Sequence, residues 1–554
     1  MLRDYLPVLA VLLAAGFFFA RRSRKRALRE RLLADWGRKP AEVALEEDLL
    51  KDLSDYHNVK RIHEPPLQPV DDLTWQDLDM DRVFSGFNLC RSTLGGEVLY
   101  DMLRDTGTPD ETLARRIELI HLFQDDAPLR ADLQMTLTKA GRSFFHGAAR
   151  YLYEPGLHAL RKPWLYYAAG LAPLAVLAAG FLYPPLFLLL IPVFGMNAVI
   201  HFKSNLRYHA QFVAMEHFGR VLNVSFSLAR LERKPLEPEL GAVRALLKPL
   251  RRVNRLLSSL KTDEMMSRFP IDLRFLWEFR RIFFLSDAVA YCRVSARVLS
   301  RMPELRALYR RVGELDALVA AAAYLHGRAW CSPDFMETLG IQAAALAHPL
   351  LENPVANDFT WLKNTLITGS NASGKSTFIK ALAVNAILAQ TLGFCRAERF
   401  SLCRSRVMTA MAVRDHLVKG VSYYVAEIQS LRRILDAVDS RGWPVLCMVD
   451  EILRGTNTVE RIAASCAILE SFAGKNLLCI NATHDIELTG LLKDSFENYH
   501  FRDELDGEGM RFSYLLREGP ASSRNAIRLL SFLGFEQDII SRAEQVAGQL
   551  ESRD

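Results

Sequence analysis

The feature that most constrains this chain is an eight-residue stretch rich in glycine and hydroxyl side chains, Gly369 to Ser376. It fits the pattern GxxxxGK[ST] and stands between an apolar run, Leu362 to Thr368, and a helical run, Thr377 to Gln390. Glycines at these places let the backbone curl so that its N–H groups face an anion at a helix N-terminus. A strand, a loop and a helix in this order predict a phosphate-binding loop in an α/β sheet.

The polar side chains of this loop predict how a nucleoside triphosphate is held. Lys375 is placed to reach the β- and γ-phosphates and to assist catalysis, and the Ser376 hydroxyl is placed to ligate Mg²⁺. ATP and Mg²⁺ are therefore the predicted cofactors. The predicted ATP-binding residues of the loop are Gly369, Ser370, Asn371, Ala372, Ser373, Gly374, Lys375, Ser376 and Thr377.

Two further strand-like runs end in polar residues suited to the same chemistry. Val445 to Val449 is followed by Asp450 and Glu451, so both carboxylates fall at the ligand-binding edge of such a sheet. Asp450 is predicted to hold Mg²⁺, and Glu451 to orient or deprotonate the attacking water. His484 follows the run Leu477 to Asn481 and is predicted to sense the γ-phosphate. An exposed acidic pair that merely closes a strand is the alternative.

The rest of the chain has a different texture. With 554 residues it is too long for one hydrophobic core, so two or three folded units are expected. Helical spacing dominates from Asp71 to Gly141 and from Asn205 to His348, including the long amphipathic segments Leu273 to Leu299 and Glu304 to Leu325. Solvated helix faces explain their arginines better than a DNA-binding stripe. Eight scattered cysteines without a CxxC pair indicate reduced thiols.

The N-terminus carries an uncharged run, Tyr5 to Ala20, directly followed by the basic run Arg21 to Arg26. A secretory signal has most of its positive charge before the apolar run and a small-residue cleavage site after it. The order here instead predicts a retained membrane anchor with its N-terminus outside and its basic side in the cytoplasm. The basic run is then a topology determinant facing anionic lipid, in preference to a nucleic-acid site.

A second apolar stretch, Trp164 to Phe202, contains no charged residue and is interrupted by Pro184 and Pro185. Two helices of about eighteen residues joined at that break predict a membrane hairpin, near the lower limit for crossing a hydrocarbon core of about 30 Å. Basic residues flank it on both sides, which places both flanks in the cytoplasm. A buried helical hairpin inside a soluble domain is the alternative.

The order and spacing of the polar residues around the loop resemble the MutS family of DNA mismatch-repair ATPases over residues 346 to 545. The residues that carry the resemblance are His348-Pro349, Asn357-Asp358, Asn371, Asp415, Gly420, Ser422, Glu427, Asp450-Glu451, Arg454-Gly455-Thr456, Thr483-His484, Glu487-Leu488, and Gly519 before Ile527. A weaker match runs over Asn88-Leu89, Ser92-Thr93-Leu94-Gly95 and Leu99, followed by Arg115-Arg116 and the helix Ile117 to Phe123. It looks like the start of the family's helical core, or lever.

The resemblance implies an ABC-like ATPase that works as a dimer, with each active site completed by the partner subunit. By position, Ser422 matches the serine that is offered in trans to the γ-phosphate, and Tyr514 matches an adenine-contacting residue. The stretch from Gly534 to Leu550 looks similar to the C-terminal helical segment that holds the family's dimer together. The loop departs from the family pattern at Ser370, Ala372 and Ser373, which leaves its phosphate chemistry intact.

The predicted fold is an α/β P-loop, ABC-like ATPase domain at the C-terminus with an all-α core or lever domain that carries transmembrane helices. The predicted divisions are 1–20 as an N-terminal anchor, 21–70 as a basic juxtamembrane segment and linker, 71–163 and 203–345 as two parts of the helical core, 164–202 as the membrane hairpin, and 346–554 as the ATPase domain with its dimerisation segment.

These expectations combine into a membrane-anchored, homodimeric MutS-like ATPase in the inner or plasma membrane, with its ATPase domain in the cytoplasm. The lipid bilayer is one predicted partner, and DNA is a partner implied by the resemblance. No mismatch-reading domain is expected, because only about fifty residues separate the first anchor from Asp71. The alternative is a membrane scaffolding or remodelling ATPase with no direct role at nucleic acid.

Overall fold

The structure is a computed structural model, and it describes residues 2–38, 47–142, 150–154, 162–257, 271–370, 373–411, 423–440, 442–454, 456–506, 509–521 and 534–551. The chain divides into two compact units. Unit 1 comprises Met1–Pro65, Phe87–Asp101 and Leu119–His326. Unit 2 comprises Pro66–Gly86, Met102–Glu118 and Gly327–Asp554.

The described residues up to 325 are mainly helical, as the 3.6-residue spacing of the apolar residues predicts. In chain order they are α1 Leu2–Ala34, α2 Glu47–His63, α3 Asp72–Asp77, α4 Met80–Phe87, α5 Thr93–Leu103, α6 Asp110–Asp125, α7 Ala127–Leu137, α8 Arg150–Tyr153, α9 Pro163–Leu182, α10 Leu190–Leu228, α11 Glu237–Leu257, α12 Ile271–Phe284, α13 Ser286–Leu299 and α14 Met302–Leu325. Short 3₁₀ turns lie at Pro184–Leu189 and Lys234–Leu236.

A buried carboxylate fixes the start of α5 to α14 inside unit 1. Asp316, fully buried on α14, accepts hydrogen bonds from the backbone N–H groups of Arg91 at 3.0 Å and Ser92 at 2.8 Å. A Cβ atom on Gly95 would lie 2.3 Å from an Asp316 carboxylate oxygen, so only glycine lets the two helices approach this closely. Segments more than two hundred residues apart in sequence are thereby held together.

Two apolar helices of unit 1 form the stretch that the sequence predicts as a hairpin. α9 ends at Leu182, the 3₁₀ turn Pro184–Leu189 follows, and α10 continues past Phe202 to Leu228. By length and composition, Pro163–Leu182 and Pro184–Leu228 are long and apolar enough to cross a membrane. In the N-terminal run, helix α1 contains Tyr5 to Ala20, but most side chains of that run lie outside the described residues.

The segment Leu273 to Leu299, predicted as one long helical stretch, is broken into α12 and α13. Leu285 stands between them in the left-handed region, with φ of 47°. That conformation costs about 1–2 kcal/mol for a residue other than glycine. Leu285 is almost completely buried, and burying a leucine side chain contributes about 1.5–3 kcal/mol, so packing outweighs the local strain.

Unit 2 is an α/β structure with two sheets. Its strands are β1 Asp334–Phe335, β2 Ile341–Leu346, β3 Asn357–Trp361, β4 Thr365–Thr368, β5 Arg399–Leu402, β6 Arg406–Ala410, β7 Val445–Asp450, β8 Leu477–Thr483, β9 Glu497–Asp506 and β10 Gly509–Glu518. Its later helices are α15 Lys375–Thr391, α16 Tyr423–Ser440, α17 Thr458–Glu470, α18 Glu487–Leu491 and α19 Gln537–Glu551. The three strands that the sequence predicts correspond to β4, β7 and β8.

The larger sheet determines which residues meet. Its strand order is β10-β9-β4-β8-β7-β6, and β4, β6, β7, β8 and β9 run parallel. In register, Thr368 faces Thr483, and Asp450 faces Ala482. The carboxyl ends of β4, β7 and β8 therefore lie side by side, and each is followed by a predicted site residue.

The free edge of this sheet is covered by α3 from the first part of unit 2. Asp77 accepts hydrogen bonds from the Thr409 hydroxyl at 2.7 Å and the Met411 backbone N–H at 3.0 Å. The Thr409 N–H donates to the hydroxyl of Thr74 at 3.2 Å. Polar atoms at the end of β6 are thus satisfied by a segment more than three hundred residues away, which protects an edge that would otherwise invite pairing.

Candidate phosphate-binding site

The glycine-bearing loop joins β4 to α15 through two unusual backbone conformations. Gly369 and Gly374 have φ values of 150° and 105°, which disfavour any residue with a side chain. A Cβ atom on Gly374 would also lie 3.1 Å from the ring of Tyr514. These glycines allow the chain to turn sharply into the helix, as the motif predicts. Asn371 and Ala372, in the middle of the loop, lie outside the described residues.

Helix α15 begins directly after Gly374, and no side-chain hydrogen bond caps its N-terminus. Lys375, its first residue, is buried, and its ammonium group donates to the backbone carbonyls of Gly369 at 2.7 Å and Ser370 at 2.8 Å. The cation therefore lies beside the same N-terminus whose backbone N–H groups favour anions. This combination is suited to binding a phosphate chain.

The acidic pair, Asp450 and Glu451, lies at the same carboxyl edge of the larger sheet as Lys375. β7 ends at Asp450, and Glu451 has φ of 56°, so the chain turns away from the strand at this residue. One Glu451 carboxylate oxygen lies 2.9 Å from Nε2 of His484, and the other accepts from Arg454 at 2.6 Å. The hydrogen bond from His484 and, secondarily, the Arg454 charge hold the pKa of the Glu451 carboxyl below its ordinary value.

His484 connects the two halves of the arrangement. Its Nε2 atom lies 3.4 Å from the Lys375 ammonium nitrogen as well as 2.9 Å from Glu451. The next residue, Asp485, forms a bidentate ion pair with Arg461 at 2.6 and 2.9 Å, and its backbone N–H donates to the Thr483 hydroxyl oxygen at 3.0 Å. These contacts fix the turn after β8, so that the His484 ring is presented toward the loop.

A cavity of about 530 Å³ opens beside these groups. Of the predicted site residues, Ser370, Gly374, Lys375, Ser376, Thr377, Glu451, His484 and Tyr514 line it. Gly369 and Ser373 are not among the lining residues: the Gly369 carbonyl accepts a hydrogen bond from the Lys375 ammonium group, and Ser373 is buried within the loop. Ser422, predicted to act from a second subunit, lies outside the described residues.

Residues that the sequence reasoning did not assign to the site complete the walls of the cavity. They are Leu346, His348, Leu351, Asn353, Pro354, Val355, Asn357, Phe378, Ala381 and Phe501. Asn357 holds the strand that carries Tyr514 in place, because its side chain donates to the Tyr514 carbonyl at 3.0 Å and accepts from the Leu516 N–H at 2.7 Å. Burial lowers the pKa of His348 to about 4, so this wall residue is neutral at physiological pH.

Two oxygen-bearing side chains suited to Mg²⁺ lie at the carboxyl edge of the larger sheet. Mg²⁺ prefers hard oxygen donors and is commonly held by one or two protein groups together with substrate phosphates. Ser376 lines the cavity. Asp450 is not among the lining residues; it ends β7, which β8 separates from β4, and its carboxylate is largely buried. The Asp450 carboxylate keeps a distant partner in Arg454, at 3.9 Å, rather than a close ion pair. This donor set fits the ion.

Comparisons with known proteins agree with this geometry. A family model described as MutS domain V, an ATPase domain, matches residues 365–551. The chain is 30% identical over 283 residues to the DNA mismatch repair protein MutS of Natronomonas pharaonis, covering 49% of this chain and 33% of that protein. The MutS of Thermus thermophilus is 29% identical over 254 residues (45% and 31%), and that of Aquifex pyrophilus 31% over 255 residues (43% and 29%). The match spans about a third of the relatives' length.

Proposed function

We propose that this chain, which belongs to the MutS family through its domain V, binds ATP with Mg²⁺ and hydrolyses it. The observation that carries the proposal is the meeting of Lys375, Glu451 and His484 at one cavity. A cation beside a helix N-terminus suits a triphosphate, and an ionised carboxylate bonded to a histidine suits the activation of water.

Each residue has a separate task in this proposal. The first-turn N–H groups of α15 and the ammonium of Lys375 bind the β- and γ-phosphates, with Lys375 exchanging its carbonyl contacts for phosphate oxygens. Glu451 is held in one orientation by His484 and Arg454 and stays ionised, so it accepts a hydrogen bond from the attacking water. Ser376 and Asp450 would hold Mg²⁺, which neutralises charge on the phosphate oxygens.

The position of His484 gives it two roles. Because it contacts both Lys375 and Glu451, it lies where the γ-phosphate and the attacking water would meet. Its single Nε2–H donates to Glu451 in this structure, and this hydrogen bond can be transferred to a γ-phosphate oxygen when ATP is bound. On the apolar side of the cavity, Tyr514 and the neighbouring wall residues are proposed to contact the adenine.

We also propose how the chain assembles and on what it acts. The chain acts as a homodimer in which Ser422 of the partner subunit completes each ATP site, and α19 contributes to dimerisation, both by family resemblance. The matched relatives are DNA mismatch repair proteins, and DNA is the proposed target of the motor on that basis. Binding and hydrolysis of ATP would then drive the conformational change.

The proposal also places the chain at a membrane, with its ATPase domain in the cytoplasm. Supporting it, large apolar side chains at the end of the α9–α10 hairpin are exposed, among them Phe181, Leu182, Leu188 and Ile191. A contiguous apolar surface of this kind is costly in water and favourable in lipid. The same surface favours a second candidate, a membrane scaffolding or remodelling ATPase without DNA. ATP turnover stimulated by lipid vesicles but unaffected by branched or mismatched DNA would select that candidate.

The ATP proposal is tested with Lys375→Ala in the full chain, using binding of a fluorescent ATP analogue and release of phosphate. Removing a charge-assisted contact costs about 1.5–3 kcal/mol, so affinity falls about 10- to 100-fold and turnover is lost. The matched control is Lys363→Ala, since Lys363 is exposed and forms an ion pair with the exposed Glu497 at 3.0 Å. Equal affinity in both variants would contradict the proposal.

A further inference from the structure

The depth to which the α9–α10 hairpin enters a membrane can be read from its neighbours in unit 1; this inference rests on the membrane attachment proposed above. The far end of the hairpin, residues 181–191, is apolar and open, with Leu182 89% exposed. Lys162 at the start of α9 and Lys203 on α10 flank the other end, the base, with positive charge. The hairpin thus has an apolar tip and a basic base.

A third helix, α12, packs against the hairpin at a level fixed by a buried asparagine. The side chain of Asn197 on α10 donates to the carbonyl of Ala169 on α9 at 3.0 Å and to the carbonyl of Phe283 on α12 at 2.7 Å. Three positions nearer the tip, Phe194 stacks on Phe279 of α12 with ring centroids 5.1 Å apart. Phe279 therefore lies nearer the tip than Phe283, so α12 runs alongside the hairpin with its N-terminal end toward the tip.

Charged side chains of α12 and α13 lie at the same level. Arg281 forms ion pairs with Asp287 at 2.6 Å and with Glu278 at 3.1 Å, and Glu278 is 51% exposed. Arg280, the next residue after Phe279, is also exposed. Exposed charges at the centre of a bilayer cost at least about 2.5–3.5 kcal/mol each, so this level belongs in water or among lipid headgroups.

The apolar length beyond this level is too short to cross a bilayer. Leu182 is thirteen positions beyond Ala169, which is about 20 Å at 1.5 Å per helical residue. A hydrocarbon core is about 30 Å thick, so a complete crossing would draw the charges of Glu278 and Arg280 into lipid. One leaflet, about half that thickness, accommodates the tip and leaves these charges at the surface.

We infer that the hairpin enters a single leaflet of an anionic bilayer and does not cross it, with Glu278 and Arg280 of α12 at the level of the headgroups. The basic residues at this level and at the base, including Arg280, Lys162 and Lys203, match the negative charge of such a surface. The α9–α10 hairpin is then an interfacial wedge. The charged residues beside the hairpin and at its base stay at the membrane surface, and they thereby orient the hairpin with its tip in the lipid.

The test measures the depth of two positions on α9 in the full chain. Leu182→Cys and Leu171→Cys, both exposed in the structure, are labelled with an environment-sensitive fluorophore. The labelled chains are reconstituted in phosphatidylcholine–phosphatidylglycerol vesicles that carry nitroxide quenchers either at the headgroup or at the end of the acyl chain. The chain without these substitutions, labelled in parallel, gives the background from native cysteines.

The two depths are expected to be opposite. In a single leaflet, the Leu182 label is quenched most by the chain-end nitroxide and the Leu171 label by the headgroup nitroxide. The reverse pattern, with Leu171 deep and Leu182 at the far headgroups, would mean that the hairpin crosses; it would overturn this inference and leave membrane attachment intact. If neither nitroxide quenches either label, the hairpin is not in the membrane. That result would contradict both the single-leaflet insertion and the membrane attachment.

Discussion

Two of the histidine-containing polar clusters among the described residues, one in each unit, differ in what surrounds them. In unit 2, His484 lies between the Lys375 ammonium and the Glu451 carboxylate at the mouth of a cavity. In unit 1, His217 Nε2 lies 3.2 Å from the Tyr309 hydroxyl, which in turn donates to Glu97. All three residues of the second cluster are buried.

The surroundings set the charges. Burial raises the pKa of Glu97 to about 8 and lowers the pKa of His217 to about 3, so both are neutral near pH 7. In the other cluster, the hydrogen bond from His484 keeps the pKa of Glu451 low, and the carboxylate remains charged. A charged cluster beside open space can act on a ligand, whereas a neutral, sealed cluster holds helices together.

The largest effect is expected at the open cluster. His484→Ala removes the group between Lys375 and Glu451, and it should lower the rate of ATP turnover about 100-fold, within the range of 10²–10⁴ typical of a positioned acid or base. Because His484 is partly exposed, the free energy of unfolding should change by only about 0.5 kcal/mol. Phosphate release and chemical denaturation of the same preparation measure both quantities. Unchanged turnover would mean that His484 has a structural role and no role in ATP hydrolysis.

The sealed cluster should show the opposite pattern. His217→Ala leaves a cavity and removes a buried contact to Tyr309, so unfolding of the variant should become easier by about 2–4 kcal/mol. The turnover of ATP at saturating concentration should be unaffected. Denaturant midpoints in detergent, together with phosphate release, check this prediction. A loss of ATP turnover without a loss of stability would mean that the buried cluster, like the open one, has a functional role.

A smaller effect distinguishes the clusters by pH. Since the pKa of Glu97 is about 8 in the folded chain and ordinarily 4.5, the folded state retains a proton that the unfolded state loses between these values. Stability should therefore fall as pH rises from 4.5 toward 8, by up to about 1.4 kcal/mol per pH unit. Glu97→Gln should remove this contribution.

The pH experiment is cleanest between pH 7.5 and 8, where His217, with an ordinary pKa of 6.5 and a folded pKa of about 3, is largely neutral in both states. Denaturation curves of the parent chain and of Glu97→Gln at matched pH values give the difference directly. If the two chains show the same slope with pH, Glu97 is ionised in the folded state, and the sealed cluster is charged after all.

The positions of the open-cluster residues could be predicted from the sequence because they depend on local features, and their catalytic roles stay predictions. The loop from Gly369 to Ser376 and the residues after β7 and β8 each follow a short apolar run, and the parallel sheet alone brings Lys375, Glu451 and His484 together. The partner of Glu451 at Arg454 is three residues away, yet sequence reasoning gave Arg454 no role. Its side chain turns back because Glu451 and Leu453 both adopt left-handed backbone conformations.

The sealed cluster and the cavity walls were not predicted, because they depend on long-range packing. Glu97 and Tyr309 are 212 residues apart in sequence, and neither belongs to a motif. Asn357 was singled out only through the family resemblance. Its hydrogen bond to the strand that carries Tyr514 could not be predicted, because it depends on the antiparallel pairing of β9 and β10. Likewise, helical periodicity predicted Leu273 to Leu299 as one segment, because it carries no signal for the left-handed turn at Leu285.

The most direct test of ATP hydrolysis at the open cluster is the fate of bound ATP in Glu451→Gln. This change keeps the side chain's size and removes the negative charge that orients water, so the variant should bind ATP with the affinity of the parent chain and hold it without hydrolysis. Turnover should fall about 100-fold or more. Nucleotide recovered from the isolated complex and identified as ATP would agree with the account. Recovery of ADP at the rate of the parent chain would contradict it.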